Sequence, residues 1–169
     1  MPSGAARRLT AGEWRALSPG LSAAVIDSGA RPRIHARASA LARLAQFRFG
    51  SAPVMVLGSR IHWPEALPDF SLPGLESSMA VLQHEMQHVL EFATGKLSPF
   101  HYAFRPKNWR YRYDLTPRSR WRDFGAEQRA SIAEHFWLLE RGGDEVVARA
   151  LGHTPASLAV YRRILPWAS

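Results

Sequence analysis

The chain contains no cysteine. Disulfides and thiolate metal sites are therefore excluded, and only packing, hydrogen bonds and charge are left to hold its 169 residues in shape. No apolar run approaches the roughly 20 residues that a membrane-spanning helix needs, so no membrane partner is expected. The opening residues, Met1 to Arg8, are not followed by an apolar stretch of signal-peptide type. The expectation is a cytoplasmic protein, or one exported without a classical signal peptide. Internal repeats and low-complexity tracts are absent as well. Acidic residues are few, 14 against 22 basic ones, for a formal net charge of +8. The remaining composition, 46% hydrophobic and 21% charged, is that of an ordinary globular domain large enough for a real core. Residues 1–169 are read as one domain, with 143–169 forming a C-terminal helical hairpin.

The positive charge is concentrated. Between positions 105 and 122 stand Arg105, Lys107, Arg110, Arg112, Arg118, Arg120 and Arg122, opposed only by Asp114 and interleaved with Trp109, Tyr111, Tyr113 and Trp121. The plainest reading is a long surface connection whose aromatics anchor it and whose arginines are solvated. A basic cleft rim that favours an acidic peptide or protein is the second reading. Nucleic acid, through phosphate pairing and base stacking, is the third and is not expected.

The strongest signal is His84-Glu85-Met86-Gln87-His88, which reads H-E-x-x-H. Shuffled chains of this composition contain that pattern roughly 1–2% of the time. Residues 75–94 lack proline and glycine, and Gly95 follows as a C-cap would. On a helix, Met79, Leu82, Met86, Val89, Leu90 and Ala93 share one face, and His84, Glu85 and His88 gather roughly opposite. Histidines four apart stand one turn from each other and can grip one ion. Glu85 can accept a proton from water at that ion.

Zinc needs a third protein ligand. The short-spaced pattern with a third histidine fails, because position 91 is Glu and position 94 is Thr. The candidates are His101, Glu127, Glu134, His135 and His153. Glu127 is best placed, 39 residues beyond His88 at the start of a second helical pattern over 123–140. That pattern puts Ile132, Phe136 and Leu139 on one face and Glu127, Ser131 and Glu134 on another. Glu134 is the alternative ligand. His135 projects away from Glu127 and is expected in solvent. His35 and His62 fall in short strands, where packing is the default.

H-E-x-x-H followed by Glu127-Gln128-Arg129-Ala130 resembles the gluzincin arrangement of the zincin metallopeptidases. The resemblance implies a zinc-dependent peptidase with His84, His88 and Glu127 as ligands and Glu85 as general base. Gluzincins often carry an aspartate four residues after the ligand Glu to orient the first histidine, and this chain has Ser131 there. A second electrophile beside the metal is expected from Tyr113, with Tyr111, His101 or a loop arginine as alternatives. The order of R-L-T-A-G-E (8–13), R-I-H (33–35), H-E-M-Q-H (84–88), Y-x-Y-D-L (111–115) and F-G-A-E-Q-R-A-S-I (124–132) is similar to small bacterial proteins labelled Vgr-related proteins or zincin peptidases. The likeness spans roughly residues 8–142 and implies a link to secretion or phage-tail-like machinery. The rival reading is a catalytically silent zincin scaffold that binds a partner in such an assembly.

Local patterns complete an α+β class. Thr10-x-x-Glu13 predicts a capping box opening a helix over 11–17. A strand is expected over 32–36, a helix over 38–47 on Leu41, Leu44 and Phe47, and a hairpin of 54–57 with 60–63 around Gly58-Ser59. Residues 64–73 read as loop. Residues 144–151 and 155–164 read as short helices, the first closed by Gly152 and the second capped by Thr154 and opened by Pro155. The resemblance implies the zincin layout, a small sheet on one side of the metal helix and helices on the other.

Overall fold

The chain enters on a strand, β1 (Ala6–Arg8), and turns directly into α1 (Ala11–Ala16). The computed structural model describes residues 6–39, 53–99 and 106–168. The expected capping box forms: Thr10 Oγ1 accepts from the Glu13 amide at 3.0 Å, and Glu13 Oε2 accepts from the Thr10 amide at 2.8 Å. Glu13 is fully buried and also accepts from both terminal nitrogens of Arg7 and from the Phe70 amide. One carboxylate thus ties β1, α1 and the 64–73 loop together.

The sheet order is β1-β2-β4-β3, with β2 (Arg33–His35), β3 (Met55–Leu57) and β4 (Arg60–His62). β1 and β2 are antiparallel, β2 and β4 parallel, and β3 and β4 antiparallel. The expected hairpin forms, with Gly58 at φ +63°, a conformation that glycine alone adopts freely. Ile34, Val56 and Ile61 turn one sheet face into the core.

The metal-motif helix is α3 (Glu76–Ala93). It ends in a Schellman arrangement: Lys96 N–H reaches Glu91 O at 2.9 Å, Gly95 N–H reaches Phe92 O at 3.2 Å, and Gly95 takes φ +69°. The sequence predicts one apolar face and one cleft face. The structure instead buries α3 on nearly every side, from Leu82 to Val89, at Met79 and Ala80, and again at Glu91. It lies centrally, packed against α2 (Pro19–Asp27), β3 and α4 (Ala126–Leu139). Its buried glutamines are engaged in specific bonds. Gln83 accepts from the Ser18 amide and donates to the Ser18 hydroxyl, and Gln87 accepts from Trp167 Nε1 and donates to Glu91.

Glu91 joins the two central helices. Its carboxylate accepts from Arg129 Nε at 2.6 Å and Nη2 at 2.7 Å, while Arg129 Nη1 donates to Phe124 O. Glu91 is 1% exposed, so removing its partner strands a charge in the core. Arg129→Met is expected to destabilise the fold by about 3–5 kcal/mol in urea unfolding. Adding Glu91→Met should recover most of that loss, and failure to recover would mean Arg129 acts through something other than this pair.

Beyond α4 follow α5 (Asp144–Leu151), closed by Gly152 at φ +81°, and α6 (Leu158–Ile164). α6 begins three residues later than predicted, because Ser157 is extended and serves as its N-cap in place of Thr154. β1 and α2 were not expected from the sequence. The helix expected over 38–47 lies outside the described residues, apart from its first two positions. Among the described residues no helix is long and apolar enough to cross a membrane.

Candidate metal centre

α3 carries His84 and His88 one turn apart, and α4 brings Glu127 to them in its first turn. His84 Nε2 lies 3.0 Å and His88 Nε2 3.4 Å from the same oxygen, Glu127 Oε2. The three side chains are buried and each offers one ligand atom, all within 4.8 Å of one another. Three ligands at about 2.0–2.1 Å from a tetrahedral ion stand roughly 3.3 Å apart, so the observed separations suit a shared cation. This buried His84, His88, Glu127 group could hold a metal ion.

The sequence around Glu127 builds its position residue by residue. Gly125 lies so close to Lys107 that a Cβ would fall 2.1 Å from the Lys107 carbonyl oxygen, so no other residue fits there. Asn108 Oδ1 accepts from the Ala126 amide, and Gln128 Oε1 accepts from the Gly125 amide, which satisfies the start of α4. At the N-terminus of α4 the helix dipole favours the Glu127 carboxylate. Gln128 Nε2 also donates to Arg112 O at 2.7 Å, pinning the chain between Tyr111 and Tyr113. Arg129 then locks α4 to α3 through Glu91, as described above.

Glu134 is not drawn in as a ligand. Its Oε2 lies 3.0 Å from His84 Nδ1, on the far side of the ring from Glu127. A ligating imidazole commonly donates its second N–H to a carboxylate, which fixes the tautomer and ring orientation. Glu134 occupies that position, seven residues beyond Glu127. Ser131 is buried on the same helix, and no hydrogen bond joins it to His84.

The charges of the cluster are mutually dependent. Burial pulls the His84 imidazole down, but the hydrogen bonds to Glu127 and Glu134 outweigh it and push it up to about 10. Burial raises the Glu127 carboxyl, and the hydrogen bonds from His84 and His88 overcome this and hold it well below the usual carboxylate range. Without metal, His84 is therefore an imidazolium bridging two carboxylates. A metal at Nε2 must displace that proton. Calorimetry in buffers of different ionisation enthalpy should show about one proton released per ion bound near pH 8. The release should fade only as pH rises through about 10. Proton-neutral binding at pH 8 would place the metal elsewhere.

Glu85 is 6% exposed. Burial raises its carboxyl, more than the neighbouring His84 and His88 lower it. That moves it toward the neutral range in which a general base works best.

Tyr111 and Tyr113 diverge. Tyr113 is buried, and its hydroxyl bonds His135 Nδ1 at 2.7 Å and the Tyr161 hydroxyl at 2.8 Å. It is a core aromatic with a satisfied hydroxyl and does not join the metal cluster. Tyr111 stacks on His84 with ring centroids 6.2 Å apart, and its hydroxyl faces the Glu127 carboxylate. Burial of that hydroxyl and the charges of Glu127 and Glu85 push it well above the usual phenol range, although more than half the residue is exposed. His135, expected in solvent, is buried against Tyr113 instead. His153 is exposed and contacts Asp114 at 3.1 Å. His101 lies outside the described residues. Between 106 and 123 the arginines and Lys107 are exposed, while Tyr113 and, in part, Trp121 turn inward.

The fold and site define a mixed α+β chain with a buried His-His-Glu centre able to hold a metal ion. No family model, curated protein or solved structure matches the chain, so the likeness to gluzincins rests on the residues of the site.

Proposed function

We propose that the chain is a zinc-dependent peptidase of gluzincin type. The observation that carries this reading is the convergence of His84 Nε2, His88 Nε2 and Glu127 Oε2 beside a buried Glu85. Two imidazoles and one carboxylate, with no thiolate, are the donor set of catalytic rather than closed structural zinc sites. When bound, the ion supplies Lewis acidity, which acidifies water and polarises a carbonyl.

Each residue of the chain then has a task. His84, His88 and Glu127 hold the ion. Glu134 fixes the His84 ring through Nδ1 and keeps Nε2 directed at the centre. Glu85 takes a proton from water at its carboxylate and delivers it to the departing amine. Tyr111, rather than Tyr113, donates its hydroxyl to the negative charge that builds on the carbonyl oxygen. Its partly exposed ring marks the side from which a peptide arrives. Acidic peptides are the favoured class, because the exposed arginines of the 106–123 segment adjoin Tyr111 in the chain.

A second reading is a zinc-stabilised scaffold without turnover, serving a bacterial secretion or phage-tail-like assembly. The near-complete burial of all four site residues favours it. Elemental analysis of the purified protein, followed by a peptide-library digest, separates the readings. About one zinc per chain with cleavage supports the peptidase. Zinc without cleavage of any peptide supports the scaffold, and no zinc after reconstitution overturns both.

A further inference from the structure

The outer face of the sheet is built entirely of basic and neutral groups. Register places Arg8 opposite Arg33, and Arg33 beside Arg60, as a row across three adjacent strands. All three are exposed, and among the described residues none of them pairs with a carboxylate. Neighbouring strands are about 4.8 Å apart, and like charges directly opposite one another are destabilising. Arg7 is no part of this row, because it turns to the inner side and is held by Glu13.

The next row along the same face is His35 beside His62, their rings stacked 5.1 Å apart at 25°. His35 Nε2 and His62 Nδ1 are buried nitrogens without a hydrogen-bond partner. Both imidazoles are lowered, first by burial and then by neighbouring positive groups, Arg37 and Arg60 among them. The deficit of negative charge extends through the sequence. From Ser28 to Pro64 there are six arginines and no Asp or Glu.

Unsatisfied buried nitrogens and an uncompensated arginine row on one face call for the same missing group, a compact anion. We propose that this face binds a phosphoryl group through Arg33, Arg60 and the His35–His62 pair. A carboxylate offers two oxygens and one charge. A phosphate monoester offers three free oxygens and about −1.5 to −2 charge at pH 7, which matches two neighbouring arginines beside imidazole N–H donors better. The site is separate from the metal centre and does not depend on the peptidase reading.

The test is titration of the full chain, in chloride buffer, with inorganic phosphate, read from the imidazole signals of protein labelled with ¹⁵N-histidine. The expected result is a saturable shift of the His35 and His62 signals. Arg33→Ala and Arg60→Ala should each weaken binding roughly tenfold or more. Arg149→Ala, at an exposed arginine on α5, should leave it unchanged. A shift that never saturates, or one that survives both sheet variants, overturns the proposal. Tighter binding of a single-stranded oligonucleotide without terminal phosphate, or of poly-glutamate, on these same residues would replace it with a nucleic-acid or an acidic-protein surface.

Discussion

Glu127→Ala should lose zinc on the order of a thousandfold in affinity, whereas Glu134→Ala should lose only about 10–100-fold. The first figure follows from removing one of three protein ligands, with the scale set by the about 10–16 kcal/mol that structural zinc-finger sites bind with. The second is the usual cost of an outer partner that orients a ligating histidine. The geometry sets the order, because Glu127 Oε2 faces both Nε2 atoms while Glu134 Oε2 faces only His84 Nδ1. Competition against a chromophoric chelator gives both constants, and circular dichroism of the metal-free variants controls for folding. Equal losses would make Glu134 a ligand, and a larger loss for Glu134 would reverse the assignment. Glu134→Gln separates orientation from charge. An amide oxygen still accepts from Nδ1–H, so the variant should bind more tightly than Glu134→Ala.

The parts of this site that the sequence shows are those with local causes. His84 and His88 are related by helical geometry alone, and Glu127 by its phase on a second helical pattern. The roles of Glu134, Tyr111 and Arg129 depend on how α4 is rotated against α3, and no local pattern encodes that rotation. Tyr111 and Tyr113 illustrate the difficulty. Strict alternation along an extended segment would put them on one side, yet Tyr111 stacks on His84 while Tyr113 bonds His135 and Tyr161, and Gln128 holds the Arg112 carbonyl between them. The same holds for His135, whose hydrogen-bond partner Tyr113 stands 22 residues away. β1 is three residues long and too short to show alternation. α2 opens on Pro19-Gly20, which reads as a turn, yet Gly20 is needed because a Cβ there would meet the Trp167 carbonyl oxygen at 1.8 Å. The buried polar residues of α3 were also hidden, since Gln83, Gln87 and Glu91 look like an exposed face until their partners are placed.

Glu85→Gln should keep zinc and the fold and lose kcat by about 10²–10⁴-fold, with KM little changed. The amide has the carboxylate's shape but cannot take up the proton. Stability offers a second readout that a structural role would not produce. Burial holds the Glu85 carboxyl above its ordinary value, so the folded metal-free chain keeps that proton at pH values where the unfolded chain has released it. Folding is then opposed increasingly as pH rises past the unfolded carboxyl range, and the penalty is complete once the folded group also ionises. Glu85→Gln removes the titrating group, so the metal-free variant should equal or exceed the parent in stability at neutral pH. Urea unfolding at pH 5 and pH 8 measures this, and the gap between variant and parent should widen toward pH 8. A variant that is both fully active and less stable would make Glu85 a packing residue and remove the general base from the proposed mechanism. A variant that is more stable and inactive is the signature of a group kept for chemistry at the expense of the fold.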